Sequence, residues 1–254
     1  EPGLAVESAG LLGALRLPDD ETGDCKLFTE GLAALARSLG VDFRLGQDIV
    51  RLHRVAGRVH GAEIRDRTSG EATLLTADQV VVALGSYSPF LVKPLGIRIP
   101  VYPVKGYSIT VQLQDEASRR AAPWVSLLDD EAKLVTSRLG PDRFRVAGTA
   151  EFNGYNKDIR ADRIRPLVEW VNRCFPGVST RQVVPWAGLR PMMPDMMPRV
   201  GRGRLPNVFY NTGHGHLGWT LSAATADMVA EVVAGTSGVA PSIQVPGPLR
   251  LRGA

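Results

Sequence analysis

Ten residues near the C-terminus, Asn211-Thr212-Gly213-His214-Gly215-His216-Leu217-Gly218-Trp219-Thr220, constrain this chain more than any other stretch. The apolar run Val208-Phe209-Tyr210 ahead of them reads as a strand, and Leu221 to Ala234 behind them reads as a helix. The glycines therefore stand in a strand-to-helix turn. Such a turn aims free backbone N–H groups, at the positive end of a helix dipole, toward whatever lies in front. The letters also match G-x-G-x-x-G, the dinucleotide fingerprint. The complete fingerprint needs a second strand after the helix, ending in an acid that holds the ribose. Here the helix is followed by Gly235 and a Pro/Ser/Gly-rich stretch. Glu231 lies inside the helix, forming a polar face with Asp227, while Leu221, Ala224, Met228 and Val232 form the face expected to be buried. The pyrophosphate role loses its support. Two readings stay open: a turn kept glycine-rich for tight packing, or a helix N-terminus that stabilises another electron-rich group.

A chain of 254 residues accommodates one large domain or two small ones. The 44% hydrophobic and 22% charged fractions are those of a globular protein. Net charge is +4 with lysines and arginines scattered, which argues for a solvated surface and against nucleic-acid binding. No apolar run approaches the roughly 18 residues of a membrane span, and no signal-peptide pattern is visible. Cys25 and Cys174 stand far apart, so neither a disulfide framework nor a metal site is expected, and a cytoplasmic setting fits. The first residue is Glu1 rather than a methionine, which suggests a fragment or a processed piece.

In chain order, the acidic turn region Leu15 to Asp24 ends in Thr22 and Asp24, either of which suits an N-cap. Phe28, Leu32, Leu35 and Leu39 recur at helical spacing, and Gly40 closes that helix. Strands are expected at Val41–Leu45, Ile49–His53 and Arg58–Ile64, with turns at Ala56-Gly57 and Ser69-Gly70. Asp78 to Gly85 reads as a strand buried on both faces. From Val101 the strands lengthen and alternate. Val101–Leu113 and Trp124–Leu128 are two of them, and Lys133–Arg138 with Arg143–Ala147 make a hairpin. A helix carries Ile164, Leu167, Val168, Val171 and Phe175 on one face, with Pro166 expected in its first turn or starting a new one. The stretch Gly188 to Pro198 is punctuated by prolines.

Five blocks, in order, carry a family resemblance: Leu15 to Cys25, Gly85-Ser86-Tyr87-Ser88, Pro100 to Ser108, Gly188-Leu189-Arg190-Pro191-Met192, and Asn211 to Thr220. With them the chain resembles the FAD-dependent D-amino-acid oxidase and dehydrogenase family, particularly its bacterial dehydrogenases. The resemblance covers almost the whole chain and implies an α/β (α+β) fold. It would comprise an incomplete FAD/NAD(P)-binding Rossmann-like domain with an inserted antiparallel-sheet substrate domain. The implied boundaries are 1–24 and 86–186 for the substrate-binding part, 25–85 and 187–235 for the C-terminal part of the FAD-binding domain, and 236–254 for a flexible tail. Nothing here matches the family's N-terminal βαβ unit, so a missing N-terminal FAD-binding segment or subunit is expected.

The resemblance also implies roles. Arg190, after a buried-looking Trp186, matches the family arginine that binds the substrate carboxylate, for which a guanidinium fork is suited. Gly213, His214, Gly215, His216, Leu217, Gly218, Trp219 and Thr220 match the turn over the flavin's pyrimidine end, where reduction places negative charge. Ile49 and Gly85 match further FAD-binding positions, and Tyr102 and Tyr107 are candidate catalytic residues where the inserted sheet begins. Each could instead be ordinary core or surface. His216 stands where the family has a smaller residue, and Met196-Met197 where it reads Pro-Asp-Gly, a glycine that would suit a strained turn. The implied activity is oxidative deamination of a D-amino acid with electrons passed to a quinone or other respiratory acceptor. The setting would be cytoplasmic or peripheral on the inner membrane face. The alternatives are a non-catalytic fragment, one subunit of a split flavoenzyme, or a relative acting on glycine, sarcosine or proline.

Overall fold

The computed structural model describes Glu1, Leu4 and residues 10–235; the expected tail at 236–254 lies outside the described residues. The chain divides into two compact units, one of residues 1–41 and 104–189, the other of residues 42–103 and 190–254. Residues 25–41 group with the first unit and residues 86–103 with the second.

The first unit opens with helix α1 (Cys25–Ser38), capped by Asp24, whose carboxylate accepts from the N–H groups of Lys26 and Leu27. Arg143 also binds Asp24 at 2.8 Å, so cap and sheet are tied together. The apolar stripe of α1 forms as the spacing predicts, yet none of its residues is buried. A five-stranded antiparallel sheet follows. Its order is β6 (Leu128–Asp129), β7 (Leu134–Arg138), β8 (Arg143–Phe152), β5 (Tyr102–Gln112), β9 (Val183–Met192). Between β5 and β6 lies a short helix, α3 (Glu116–Ala121), capped by Asp115. Helix α4 (Ala161–Cys174) buries Leu167, Trp170 and Val171 among Ile109, Val111, Phe144 and Val146, and Phe144 meets Phe175 edge-on at 5.7 Å.

Pro166 is neither in the first turn of α4 nor at the start of a new helix but inside it, where its ring leaves the helix one N–H short. The stretch expected at Trp124–Leu128 pairs only from Leu128. The first half of the proline-punctuated segment, Gly188 to Met192, proves to be the end of β9, and the rest is a turn. β9 is an edge strand, the position in a sheet where prolines are tolerated.

Lys105, with no exposed surface, is the centre of a buried polar cluster in this unit. Its ammonium lies 2.8 Å from Glu151 Oε1 and donates to Asn156 Oδ1 and to the carbonyl of Asp158. Tyr107 donates its hydroxyl to Glu151 at 2.6 Å. These donors, Lys105 first and Tyr107 next, hold the Glu151 carboxyl at about 2, against the opposing effect of burial. Burial works against the Lys105 ammonium, but Glu151 and Tyr107 prevail and its pKa is raised. The network fastens residues 156–158 to the sheet.

In the second unit β1 (Gln47–Val55), β2 (Arg58–Asp66) and β3 (Ala72–Thr76) form an antiparallel meander that turns at Ala56-Gly57 and Ser69-Gly70. Val41–Leu45 is not a strand. Its first N–H closes back on the Ala36 carbonyl, and Arg44 pairs locally with Asp42. A second sheet has the order β10 (Arg199–Arg202), β11 (Val208–Thr212), β4 (Val80–Val82), with β11 and β4 parallel. β4 is shorter than expected and lies at the sheet's end among the described residues, so Val82 is buried while Val81 remains 43% exposed. Helix α2 (Ser88–Val92) follows β4, and helix α5 (Gly218–Ala234) follows β11 and ends at Gly235. The buried face of α5 is Thr225, Val229 and Val232, rotated from the expected set, and Ala224 is exposed.

Asn207 joins the two sheets. Its buried side chain accepts from the Val59 N–H and donates to the carbonyls of Val59 and Asp78, while its own carbonyl receives the Val80 N–H. Asn207→Ala leaves the buried Val59 N–H and C=O unpaired, each worth about 1–3 kcal/mol. Urea unfolding is expected to show a loss on the order of 2–4 kcal/mol; a change below about 0.5 kcal/mol, the range of surface substitutions, rules out the clamp. Met196 occupies the left-handed region (φ +59°) in the turn closed by its N–H to the Met193 carbonyl, which is where the resemblance expects glycine. Met196→Gly removes a Cβ penalty of roughly 1–2 kcal/mol against a smaller glycine entropy cost. It should therefore raise thermal stability, and a lowered midpoint contradicts the strain. The depressed Glu151 pKa stabilises the fold fully above the unfolded value of 4.5, and this is lost as pH falls through about 2. Glu151→Gln should flatten the acid limb of stability between those values, as read by circular dichroism; an unchanged limb assigns it elsewhere.

Candidate functional site

The second unit brings together the C-terminal ends of its two parallel strands, the place where open α/β sheets bind ligands. Thr212, the last residue of β11, donates its hydroxyl to the Gly85 carbonyl at 3.2 Å and lies 2.7 Å from Ser88 Oγ at the start of α2. The chain just beyond β4 is thus fixed to the start of the glycine turn. Pro191 joins them: its carbonyl accepts the Gly215 N–H at 3.0 Å, and its ring lies against Gly85. Arg190 is therefore carried on a backbone bonded to the turn, and its side chain is half-buried. Of the expected site residues, Arg190, Gly85 and the 213–220 turn are gathered here.

The glycines of the turn are needed for two reasons. Gly213 and Gly215 have φ of +81° and +57°, a region that disfavours a Cβ. A Cβ would also stand 2.8 Å from Met193 Cγ at Gly213 and 3.0 Å from Met192 Sδ at Gly215. Packing alone thus accounts for these two glycines. What packing leaves open is the start of α5. Leu217 at its N-cap supplies no side-chain hydrogen bond and the first turn carries no acidic residue, so neither caps the positive end of the dipole.

His214 is turned inward, with Nε2 3.2 Å from Thr225 Oγ1. The Thr225 hydroxyl is 2.9 Å from the Leu221 carbonyl, to which it donates its one proton. With that proton committed, the Thr225 oxygen is placed to accept from His214 Nε2–H. Burial penalises the charged imidazolium and lowers the His214 pKa from its ordinary value. His216, by contrast, is exposed. Leu217 and Trp219 are 44% and 45% exposed, an apolar surface in front of the uncapped helix.

Ile49 lies in β1 at 45% exposure, and Tyr102 at 43%. Tyr107 is enclosed in the first unit with its hydroxyl committed to Glu151, so it is a structural residue in this conformation. Trp186 is exposed rather than buried; its indole lies so close to Gly188 that a Cβ there has no room. Sequence reasoning missed Thr212, Ser88 and Asn211. The Asn211 side-chain oxygen is buried with no hydrogen-bond donor among the described residues, one position before the turn. A polar residue at the end of an apolar strand was the available signal.

An uncapped helix N-terminus, exposed apolar side chains and an orphaned buried acceptor fit the redox ring of a flavin, which offers an electron-rich edge, an apolar face and N–H groups.

The family model described as FAD dependent oxidoreductase (DAO) matches residues 1–232. The chain is 55% identical over 228 residues to D-amino acid dehydrogenase 3 of Mesorhizobium japonicum, covering 87% of this chain and 53% of that protein. It is 48% identical to the D-amino acid dehydrogenase of Methylobacterium radiotolerans, covering 96% and 55% respectively. The chain spans about half the length of the curated relatives it matches. Among solved structures, iminodiacetate oxidase from Chelativorans sp. BNC1 superposes with a TM-score of 0.70 at 25% identity, over 83% of this chain and 55% of that one. Glycine oxidase from Bacillus cereus gives 0.69 at 21% identity, over 82% and 55%, a likeness of fold. The chain belongs to the FAD dependent oxidoreductase (DAO) family.

Proposed function

We propose that this chain is the part of a D-amino-acid dehydrogenase that orients the substrate and stabilises charge at the redox end of FAD. The observation that carries this is the bond from Gly215 N–H to the Pro191 carbonyl, which ties the Arg190 segment to an uncapped helix N-terminus. FAD, when bound, supplies the acceptor for the hydride that leaves the substrate α-carbon, after which the imino acid hydrolyses to a 2-oxo acid and ammonia. Arg190 binds the substrate carboxylate through its guanidinium fork and fixes which face of the α-carbon is presented. The turn 213–220, with Gly85 and Ile49, holds the cofactor. The start of α5 stabilises negative charge through backbone dipoles, without a titrating group.

A substrate amine that enters neutral needs no protein base, and burial disfavours the charged form of His214. Tyr102 is 43% exposed. Electrons leave for a quinone or another respiratory acceptor, and the enzyme works in the cytoplasm or against the inner membrane face. Among the described residues no helix is long and apolar enough to cross a membrane. The remainder of the cofactor site is contributed by a segment or subunit carrying the ADP-binding unit.

Relatives named as glycine and iminodiacetate oxidases share the fold, whereas those at 48–55% identity are named for D-amino acids, which favours the latter substrate. Dye-linked turnover in the full-length enzyme distinguishes them: D-alanine is oxidised, and L-alanine, glycine and sarcosine are poor substrates. Arg190→Ala should lower kcat/KM for D-alanine by about 3–5 kcal/mol, mostly through KM. Unchanged kinetics remove Arg190 from the site, and preferential turnover of glycine or sarcosine overturns the substrate assignment.

A further inference from the structure

A second feature of the 42–103/190–254 unit is unrelated to the glycine turn. A groove of about 440 Å³ is lined by Arg54 and Gly57 at the β1–β2 turn, by Leu95, Gly96 and Ile97, and by Arg204, Leu205 and Pro206 between β10 and β11. No carboxylate lines it. The three segments that form it, 54–58, 93–98 and 202–207, contain Arg54, Arg58, Lys93, Arg98, Arg202 and Arg204 and no Asp or Glu. That bias is local, because the whole chain has 30 basic residues against 26 acidic ones.

Arg202 is committed, stacking on Phe209 and reaching the Val232 carbonyl. The side chains of Arg54 and Arg204 have no ion-pair or hydrogen-bond partner among the described residues. Other exposed arginines in the same unit do find carboxylates, Arg51 with Glu63, Arg67 with Asp48 and Arg199 with Asp195. Guanidinium groups gathered around one concavity repel each other unless an anion lies between them.

We infer that this groove binds a phosphate group, held between the guanidinium forks of Arg54 and Arg204. Each fork presents two parallel N–H donors to a pair of phosphate oxygens, a match a lysine ammonium lacks. Leu95, Ile97 and Leu205 supply an apolar floor, which suits a phosphate carried on an organic group. Either a soluble phosphate ester or an anionic phospholipid headgroup supplies that chemistry. The site is separate from the assignment of substrate and cofactor and stands or falls without it.

The test uses the 254-residue chain in chloride buffer. Isothermal titration with inorganic phosphate and with glycerol 3-phosphate reads the soluble ligand. Co-sedimentation with phosphatidylglycerol vesicles, against phosphatidylcholine vesicles, reads the headgroup. Arg54→Ala/Arg204→Ala removes both forks at exposed positions. Arg65→Ala/Arg181→Ala removes the same charge from exposed arginines outside the groove and serves as the control. The expected result is binding of at least one probe that weakens tenfold or more in the groove variant and less than twofold in the control. Binding of the soluble phosphates assigns a phosphate ester, and binding of the phosphatidylglycerol vesicles alone assigns a headgroup. No binding of any probe overturns the inference, as does an equal loss in both variants, which would reduce the effect to net charge. Arg54→Lys/Arg204→Lys, which keeps charge without the fork, should recover only part of the affinity; full recovery overturns the bidentate geometry.

Discussion

The second unit depends on one amide. Asn207 satisfies the backbone of β2 and of the chain entering β4 with a single side chain, and so holds a meander and a parallel pair in one body. Because β4 begins where Asn207 receives the Val80 N–H, the same residue sets where β4 and β11 end and therefore where Gly85 meets Thr212. The position of the candidate site is in this sense a consequence of a hydrogen-bond pattern at the opposite end of the strands. The first unit is organised differently, around the packed faces of β5, β8 and α4, with one buried charge cluster that holds the 156–158 loop.

Local signals were readable. Asp24 before an apolar stripe, Leu139 to Asp142 between two alternating runs, and glycines between a strand and a helix each state a backbone requirement within a few residues. The structure satisfies each of them. Met196 is the sharpest case, since the absence of glycine from a turn that the resemblance expects to need it corresponds to an observed left-handed residue.

What was not readable depends on partners far along the chain. Asn207 follows Leu205-Pro206 and reads as loop; its 148-residue reach to Val59 leaves no trace in periodicity. Helix α5 is alanine- and valine-rich nearly all round, so several faces score alike and tertiary contacts choose Thr225, Val229 and Val232. Asp78 to Gly85 has the composition of a doubly buried strand, yet burial is set by neighbours, and β4 has one neighbouring strand among the described residues. Lys105 and Glu151 each read as surface charges until the β5–β8 register places them opposite each other. Among the candidate site residues, Arg190 and the turn were legible as a motif. The enclosure of Tyr107 was not, because alternation gives the face of a strand and not what covers it.

The edge position of β9 has a consequence for how the protein behaves in company. Pro185 and Pro191 are an even number of residues apart, so both interrupt the same row of amide positions. A strand from another molecule approaching that rim would find no N–H at Pro185 or Pro191, and at Pro191 the carbonyl is already taken by Gly215, so the lattice of hydrogen bonds that drives edge-to-edge polymerisation could not propagate. Prolines, the residue type that makes this part of the chain look unlike a strand, are also what let the five-stranded sheet terminate.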